Sequence, residues 1–315
     1  MVALADFQLP RALDPAAVRK RWGTVKQVLG LRRTEAPAPV RLEADLQALP
    51  PARLASLVPP IDWTPAARAL DAAIGDWPAA EPPVRFLIGP PHASHADILR
   101  RWAVMHGALT VAAPAPGAVL AGGESWLAAW QAATQATGVH SPRCWVLPAL
   151  ERCYLRHANG LGLIRRLLWL ALSGRLGPGL IGCDSWAWTY LQHVWDLPQV
   201  GAYTVQGFDG HRLTAHLANC ADPDPDGRLP RFCNACSSTQ VLPDLDQIAR
   251  GDFTVSSQPK QLAARCRGNP GIARLYWQAR LRVEPEDGRA AEAADDGAEA
   301  RAPGDQNPAA GLAER

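Results

Sequence analysis

The sequence predicts an α/β protein, a parallel sheet with helices on both faces and a small helical lid. Short apolar runs at residues 84–88, 144–147 and 180–183 alternate with longer stretches whose apolar residues recur every three or four positions. Gly, Pro or Asp bounds each short run, as at the ends of buried strands. The length, 315 residues with 48% apolar and 20% charged, allows one large core or two ordinary ones.

Residues 1–60 read as a basic helix and a Pro-rich linker. Asp14-Pro15 supplies an N-cap and a first helical position, and Val18, Trp22, Val25 and Leu29 then share one stripe. Arg19, Lys20, Arg21, Lys26, Arg32 and Arg33 surround that stripe. Residues 14–33 therefore suit a membrane surface, a partner protein or a face of the chain's own domain. Residues 34–60 are rich in Pro and Ala, with a short amphipathic piece at Leu42, Leu46 and Leu49.

The α/β core is expected over 61–220. A helix over 63–77 buries Ala66, Leu70 and Ile74 and leads into the strand at 84–88. Ile98, Leu99, Trp102 and Met105 mark the next helix, and 108–112 a second strand. A helix bearing Trp126, Leu127 and Trp130 precedes the strand at 144–147, and one long helix is expected over 154–172. The strand at 180–183 ends at Asp184-Ser185, which caps a helix through Trp186, Tyr190, Leu191 and Val194. A strand at 203–205 and a helix capped by Asp209, with Leu213, His216 and Leu217, complete the alternation.

Residues 221–251 break this rhythm with an Asp-Pro-rich, Cys-containing insertion. Helices at 258–266 and 271–281 form the lid over 252–282, and 283–315 reads as a disordered tail of Ala, Glu, Asp, Gly and Pro.

Composition narrows the function. A net charge of +2 gives no reason to expect a nucleic-acid partner. No run of about 18 uncharged apolar residues spans a membrane, and no hydrophobic segment follows the N-terminus as in a signal peptide. Seven scattered cysteines do not form a disulfide framework, which points to a reducing cytoplasm. Twelve Trp beside five Phe and four Tyr fit an Arg- and Ala-heavy bacterial sequence.

The stretch from Val84 to Leu99 organises the chain, because strand, Gly89-Pro90-Pro91 turn and helix give the local shape of a phosphate-binding loop. In the pattern G-x-x-x-x-G-K-[ST] counted from Gly89, the second Gly falls on Ser94, the Lys on His95 and the hydroxyl on Ala96. Frame and chemistry are separate here: a His of ordinary pKa ~6.5 is mostly neutral at pH 7, and Ala96 cannot ligate Mg²⁺.

The order of elements over residues 63–281 resembles the AAA+/STAND branch of P-loop NTPases. Gly89-Pro90-Pro91 is similar to the start of the AAA-type loop, and Arg143-Cys144-Trp145-Val146-Leu147 to the strand that ends in the Walker B acids. Leu180-Ile181-Gly182-Cys183-Asp184 resembles the sensor-1 strand, and residues 203–209 the strand that leads to the lid. Gly268-Asn269-Pro270 is similar to the G-x-P element of STAND lids, whose Pro packs near the adenine.

The resemblance implies a nucleotide site at Gly89, Pro90, Pro91, Ser94, His95, Asp184, Asn269 and Pro270. The Walker B acid position falls on Pro148, with Glu151 three residues later, so Glu151 and Asp184 are the candidate catalytic groups. Both Walker motifs are thus degenerate. The expected protein is a pseudo-ATPase, holding ATP or ADP without hydrolysis and acting as a regulatory or protein-interaction module. An atypical ATPase using Glu151 and Asp184 is the alternative, and a zinc-stabilised adaptor a third.

The zinc reading rests on His216, Cys220, Cys233 and Cys236, four soft ligands around the irregular segment. If they hold one ion, purified protein carries about one zinc per chain, and chelation lowers its melting temperature. Metal-free protein of unchanged stability would remove this reading.

Overall fold

The computed structural model describes residues 2–3, 46–75, 77, 83–135, 144–197, 200–220, 230–235, 237 and 239–283. The basic stretch 14–33, Cys236 and the tail from residue 284 lie outside them.

The strands in chain order are β1 (Val2–Ala3), β2 (Gln47–Ala48), β3 (Val84–Gly89), β4 (Leu109–Thr110), β5 (Trp145–Leu147), β6 (Gly179–Asp184), β7 (Gly201–Thr204) and β8 (Arg282–Val283). The helices are α1 (Pro51–Leu57), α2 (Thr64–Ile74), α3 (His95–His106), α4 (Pro116–Leu120), α5 (Glu124–Gln135) and α6 (Gly162–Leu172). They continue with α7 (Ser185–Val194), α8 (Gly210–Cys220), α9 (Leu245–Arg250), α10 (Ser257–Arg265) and α11 (Pro270–Arg280).

Six strands make one parallel sheet in the order β1-β7-β3-β6-β5-β4. β3 and β6 pair along their whole length, from Val84 opposite Gly179 to Gly89 opposite Asp184. The chain leaves β3 for β4 at one edge, whereas β6 passes it to β7 on the far side of β3. The crossover helices after β3 and β6 therefore cover opposite faces, and a crevice opens between the carboxyl ends of these two neighbours.

Side chains on the central strands alternate between the two faces, and both faces are buried. Phe86, Ile88, Trp145, Leu147, Ile181 and Cys183 enter one core with residues of α4, α5, α6 and α7. Leu87, Val146 and Leu180 point the other way, against Ala66, Leu70 and Ile74 of α2 and Ile98, Leu99 and Trp102 of α3. Each large apolar side chain withdrawn from water in this way contributes about 1.5–3 kcal/mol.

A third core belongs to the lid. Phe208, Leu213 and Leu217 cluster with Val241, Leu242, Leu262, Cys266 and Ala273, and α8 lies against α10. Asp209 caps α8 as its sequence suggests, accepting from the Arg212 amide at 2.8 Å.

Several boundaries differ from the sequence reading. The long helix expected over 154–172 begins only at Gly162, because the Leu155 and His157 amides donate to the Gly160 and Leu155 carbonyls and close a tight loop. Within the stretch read as linker, 51–57 is a helix with Pro51 in its first turn, and Gln47–Ala48 pairs antiparallel with Arg282–Val283. Val2–Ala3 adds a strand at the sheet edge beside Tyr203 and Thr204. Such long-range pairings leave no periodic signature in two residues.

Trp145 packs where a side chain at Gly179, its register partner on β6, would stand, and its indole N–H donates to the Leu176 carbonyl at 2.7 Å. A methyl group at Gly179 overlaps the indole. Gly179→Ala should therefore cost about 1–3 kcal/mol of stability, read as a lower Tm in thermal denaturation. An unchanged Tm would show that the indole can move aside.

Candidate functional site

The turn after β3 is built from Pro and two left-handed residues. The Ala93 amide donates to the Pro90 carbonyl at 3.0 Å, while His92 and Ser94 have φ of 64° and 59°. Ser94 stands at the second Gly of the phosphate-loop pattern and holds the left-handed conformation that Gly takes freely. α3 begins at the next residue. The amides of His92, Ser94, His95 and Ala96 make no hydrogen bond among the described residues, as expected for a helix start. Such amides in alternating left- and right-handed turns favour an anion.

The side chains around this turn oppose one. His95 is only 5% exposed, and neither ring nitrogen has a hydrogen-bond partner among the described residues. Its Nε2 lies 3.9 Å from Asp184 Oδ1, beyond hydrogen-bond distance. Burial pushes its pKa below the ordinary value, while Asp184 and Asp97 act in the other direction. Gly182 makes room for the ring, since a side chain there would crowd His95, Leu99 and the Pro148 carbonyl.

Asp184 occupies the N-cap position of α7 without capping it. Its Oδ2 instead accepts from the Trp186 indole at 3.1 Å, and its amide donates to Glu151 Oε2 at 3.3 Å. Glu151 sits in a 3₁₀ turn, Leu150–Cys153, three residues past Pro148, and still reaches the end of β6. Burial pushes its carboxyl above the usual range, and the charge of Asp184 adds to that. One His and two acids thus converge where β3 and β6 end.

The start of α11 meets the same turn. Asn269 caps α11, accepting from the Gly271 and Ile272 amides, and its Nδ2 donates to the Pro91 carbonyl at 2.8 Å. Gly271 lies so near the His92 carbonyl that a side chain there would overlap it. Pro270 is buried beside them. Arg274, one turn on, donates to the carbonyls of Pro59 and Val58 at 2.7 and 2.8 Å. The lid helix is therefore fixed both to the turn and to the segment before α2.

An aromatic rim borders Asp184. Arg156 stacks 5.5 Å over Trp186 and 4.9 Å over Tyr190, and Tyr154 stacks on Tyr190 at 5.6 Å. The buried Tyr154 hydroxyl has no hydrogen-bond partner among the described residues, and burial pushes its pKa up to about 12. Sequence reasoning assigned Trp186 and Tyr190 only to a helix. A Gly inside a strand signals close approach, and Gly182 would have been the sequence sign of the crowding at His95.

The soft-ligand array is partly visible. His216 Nδ1 lies 3.5 Å from Cys220 Sγ, while Cys233 is exposed and joins a β-bridge with Gln240. Cys236 lies outside the described residues, among which no three potential ligands come together. Cys153 and Cys183 are buried free thiols, both pushed up by burial, and therefore chemically quiet. No described helix is long and apolar enough to cross a membrane. No family model matches the chain, and no curated protein matches it.

The folded His95 ring takes a proton less readily than the unfolded one. Stability is therefore full above about pH 6.5 and falls as pH drops toward the lowered folded value, by up to about 1.4 kcal/mol per pH unit for one proton. His216, pushed down to about 4 by burial and by Arg274, adds to this slope. Glu151 has the opposite sign, stabilising the fold below the ordinary carboxylate range and losing that effect as pH rises. His95→Gln should flatten the fall in Tm between pH 7 and 5, leaving the His216 part. A slope unchanged by this substitution would remove His95 as its source.

Proposed function

We propose that this chain is a degenerate P-loop NTPase-like protein of AAA+/STAND type that binds adenine nucleotide weakly and does not hydrolyse it. It works as a catalytically silent regulatory or protein-interaction module. The observation that carries the reading is the replacement of a fixed cation by a neutral, buried His95 facing Asp184, with Glu151 on the Asp184 amide. Phosphoryl transfer depends on charge placed at the phosphates and on a bound metal. Here the position carries no charge at neutral pH, and two acids lie beside it.

The frame supports the family part of the proposal. The strand ending in Gly89, the strand ending in Asp184 and the Gly268-Asn269-Pro270 element meet at one crevice. Open α/β sheets place ligands there. Partners are expected to be proteins, met in the cytoplasm, with residues 14–33 as the further candidate contact to a protein or a membrane surface.

One observation favours the enzyme alternative. A partly buried Glu151 with a raised pKa beside Asp184 is the kind of paired-acid environment that tunes a general base. The two readings separate in a nucleotide titration with and without Mg²⁺, combined with a turnover assay. The silent module binds ATP independently of Mg²⁺, with no turnover above background. His95→Lys with Ala96→Thr then tightens binding and makes it Mg²⁺-dependent. Mg²⁺-dependent hydrolysis by the natural chain, lost in Glu151→Gln or Asp184→Asn, would overturn the proposal.

A further inference from the structure

The two lid helices and their flanks are strongly basic. Residues 252–283 hold six cations, Lys260, Arg265, Arg267, Arg274, Arg280 and Arg282, against the one carboxylate of Asp252. Arg274 is engaged with the Val58 and Pro59 carbonyls. The other five are exposed, and none forms an ion pair among the described residues.

Two of the five converge on one ring. Arg265 Nη1 donates to the Tyr276 hydroxyl at 3.0 Å, and the Arg280 guanidinium lies 5.3 Å over the Tyr276 ring. Ile272 and Leu275, 37% and 50% exposed, share the helical face of Tyr276. Arg282 donates to the Ala279 and Leu281 carbonyls at the end of α11. Arg265 and Arg280 thus flank an aromatic ring with exposed apolar neighbours, and Arg282 stands at the end of the same helix.

The chain runs on directly from this surface. Val283, exposed, ends β8, and residues 284–315 carry nine carboxylates against three arginines, a net charge of −6. They are Glu284, Glu286, Asp287, Glu292, Asp295, Asp296, Glu299, Asp305 and Glu314 against Arg289, Arg301 and Arg315. The other long segment outside the described residues has the wrong sign, since residues 14–33 hold six cations and only Asp14.

We propose that residues 284–315 lie along the lid at Arg265, Tyr276, Arg280 and Arg282, as an acidic strap that any other anionic partner must displace. A single exposed ion pair contributes little. Here a whole acidic segment meets a basic face, and the tether sets an effective concentration on the order of mM. For a random chain of 32 residues the root-mean-square reach is roughly 30 Å, ample for a face whose Arg280 and Arg282 lie only four and two residues before the tail. The contact is electrostatic, so salt weakens it. It does not depend on whether the turn at Gly89 holds a nucleotide.

The test uses the full chain and a fluorescent peptide of residues 284–315 as probe. In the natural chain the face is already covered, so the peptide should bind weakly. A full-length variant with its nine tail acids replaced by Asn or Gln should bind the peptide at least tenfold more tightly by fluorescence anisotropy. That gain should shrink severalfold between 50 and 300 mM salt and vanish on adding Arg265→Ser, Arg280→Ser and Arg282→Ser. These arginines are exposed, and an unchanged Tm confirms that the variant is folded. Equal peptide binding by the natural and neutral-tail chains overturns the strap, as does a gain that survives the arginine substitutions or high salt. A neutral-tail chain that gains affinity for anionic vesicles or duplex DNA but not for the peptide also overturns it, assigning the face to an external partner.

Discussion

The pairing of β3 with β6 is the constraint on which the rest of the molecule depends. Six residues of each strand run in parallel register, and that register sets Gly89 beside Asp184. It also brings Gly179 opposite Val84 and, through β5, under the Trp145 indole. The two strands send their crossovers to opposite faces, so the crevice at their ends follows from the topology. The loop, the acids and the lid contact all gather around this one seam.

Burial then decides the chemistry of the seam. A Lys at the end of a P-loop keeps its charge because phosphate and water reach it. His95 is enclosed, facing Gly182 and Leu99, where the cost of desolvating an imidazolium outweighs the attraction of Asp184 3.9 Å away. The same exclusion of water acts on Glu151 in the opposite chemical sense, favouring the protonated acid. Two neighbouring groups thus both lean toward their neutral forms, leaving Asp184, hydrogen-bonded to the Trp186 indole, between them.

The lid couples to that seam through backbone as well as side chains. Asn269 serves two purposes, since its carbonyl oxygen caps α11 while its amide reaches the Pro91 carbonyl. Any shift of the turn at 90–92 is therefore felt at the start of the lid helix, and Arg274 carries the connection to residues 58–59. The pairing of β2 with β8 adds a second link between the same two segments. The segment before the core and the lid after it are held together although more than 200 residues separate them.

Local pattern in the sequence determined the strand at 84–88, the Gly-Pro-Pro turn, the helices around Leu70 and Leu99, and the α/β class. These depend on the spacing of apolar residues and on turn chemistry within about a dozen positions. The sequence also marked Gly89, His95, Asp184, Asn269 and Pro270 by their places in a motif frame. Only the tertiary structure decided what those residues touch. It set the register of β3 against β6, the enclosure of His95, the reach of Glu151 to the Asp184 amide and the Asn269 link to Pro91. It shortened the helix expected over 154–172 to Gly162–Leu172 by closing a loop at Leu155 and Gly160, a competition that periodicity does not record. The division is physical: periodicity and turn chemistry are local, whereas burial and pairing depend on residues distant in the chain that only folding brings together.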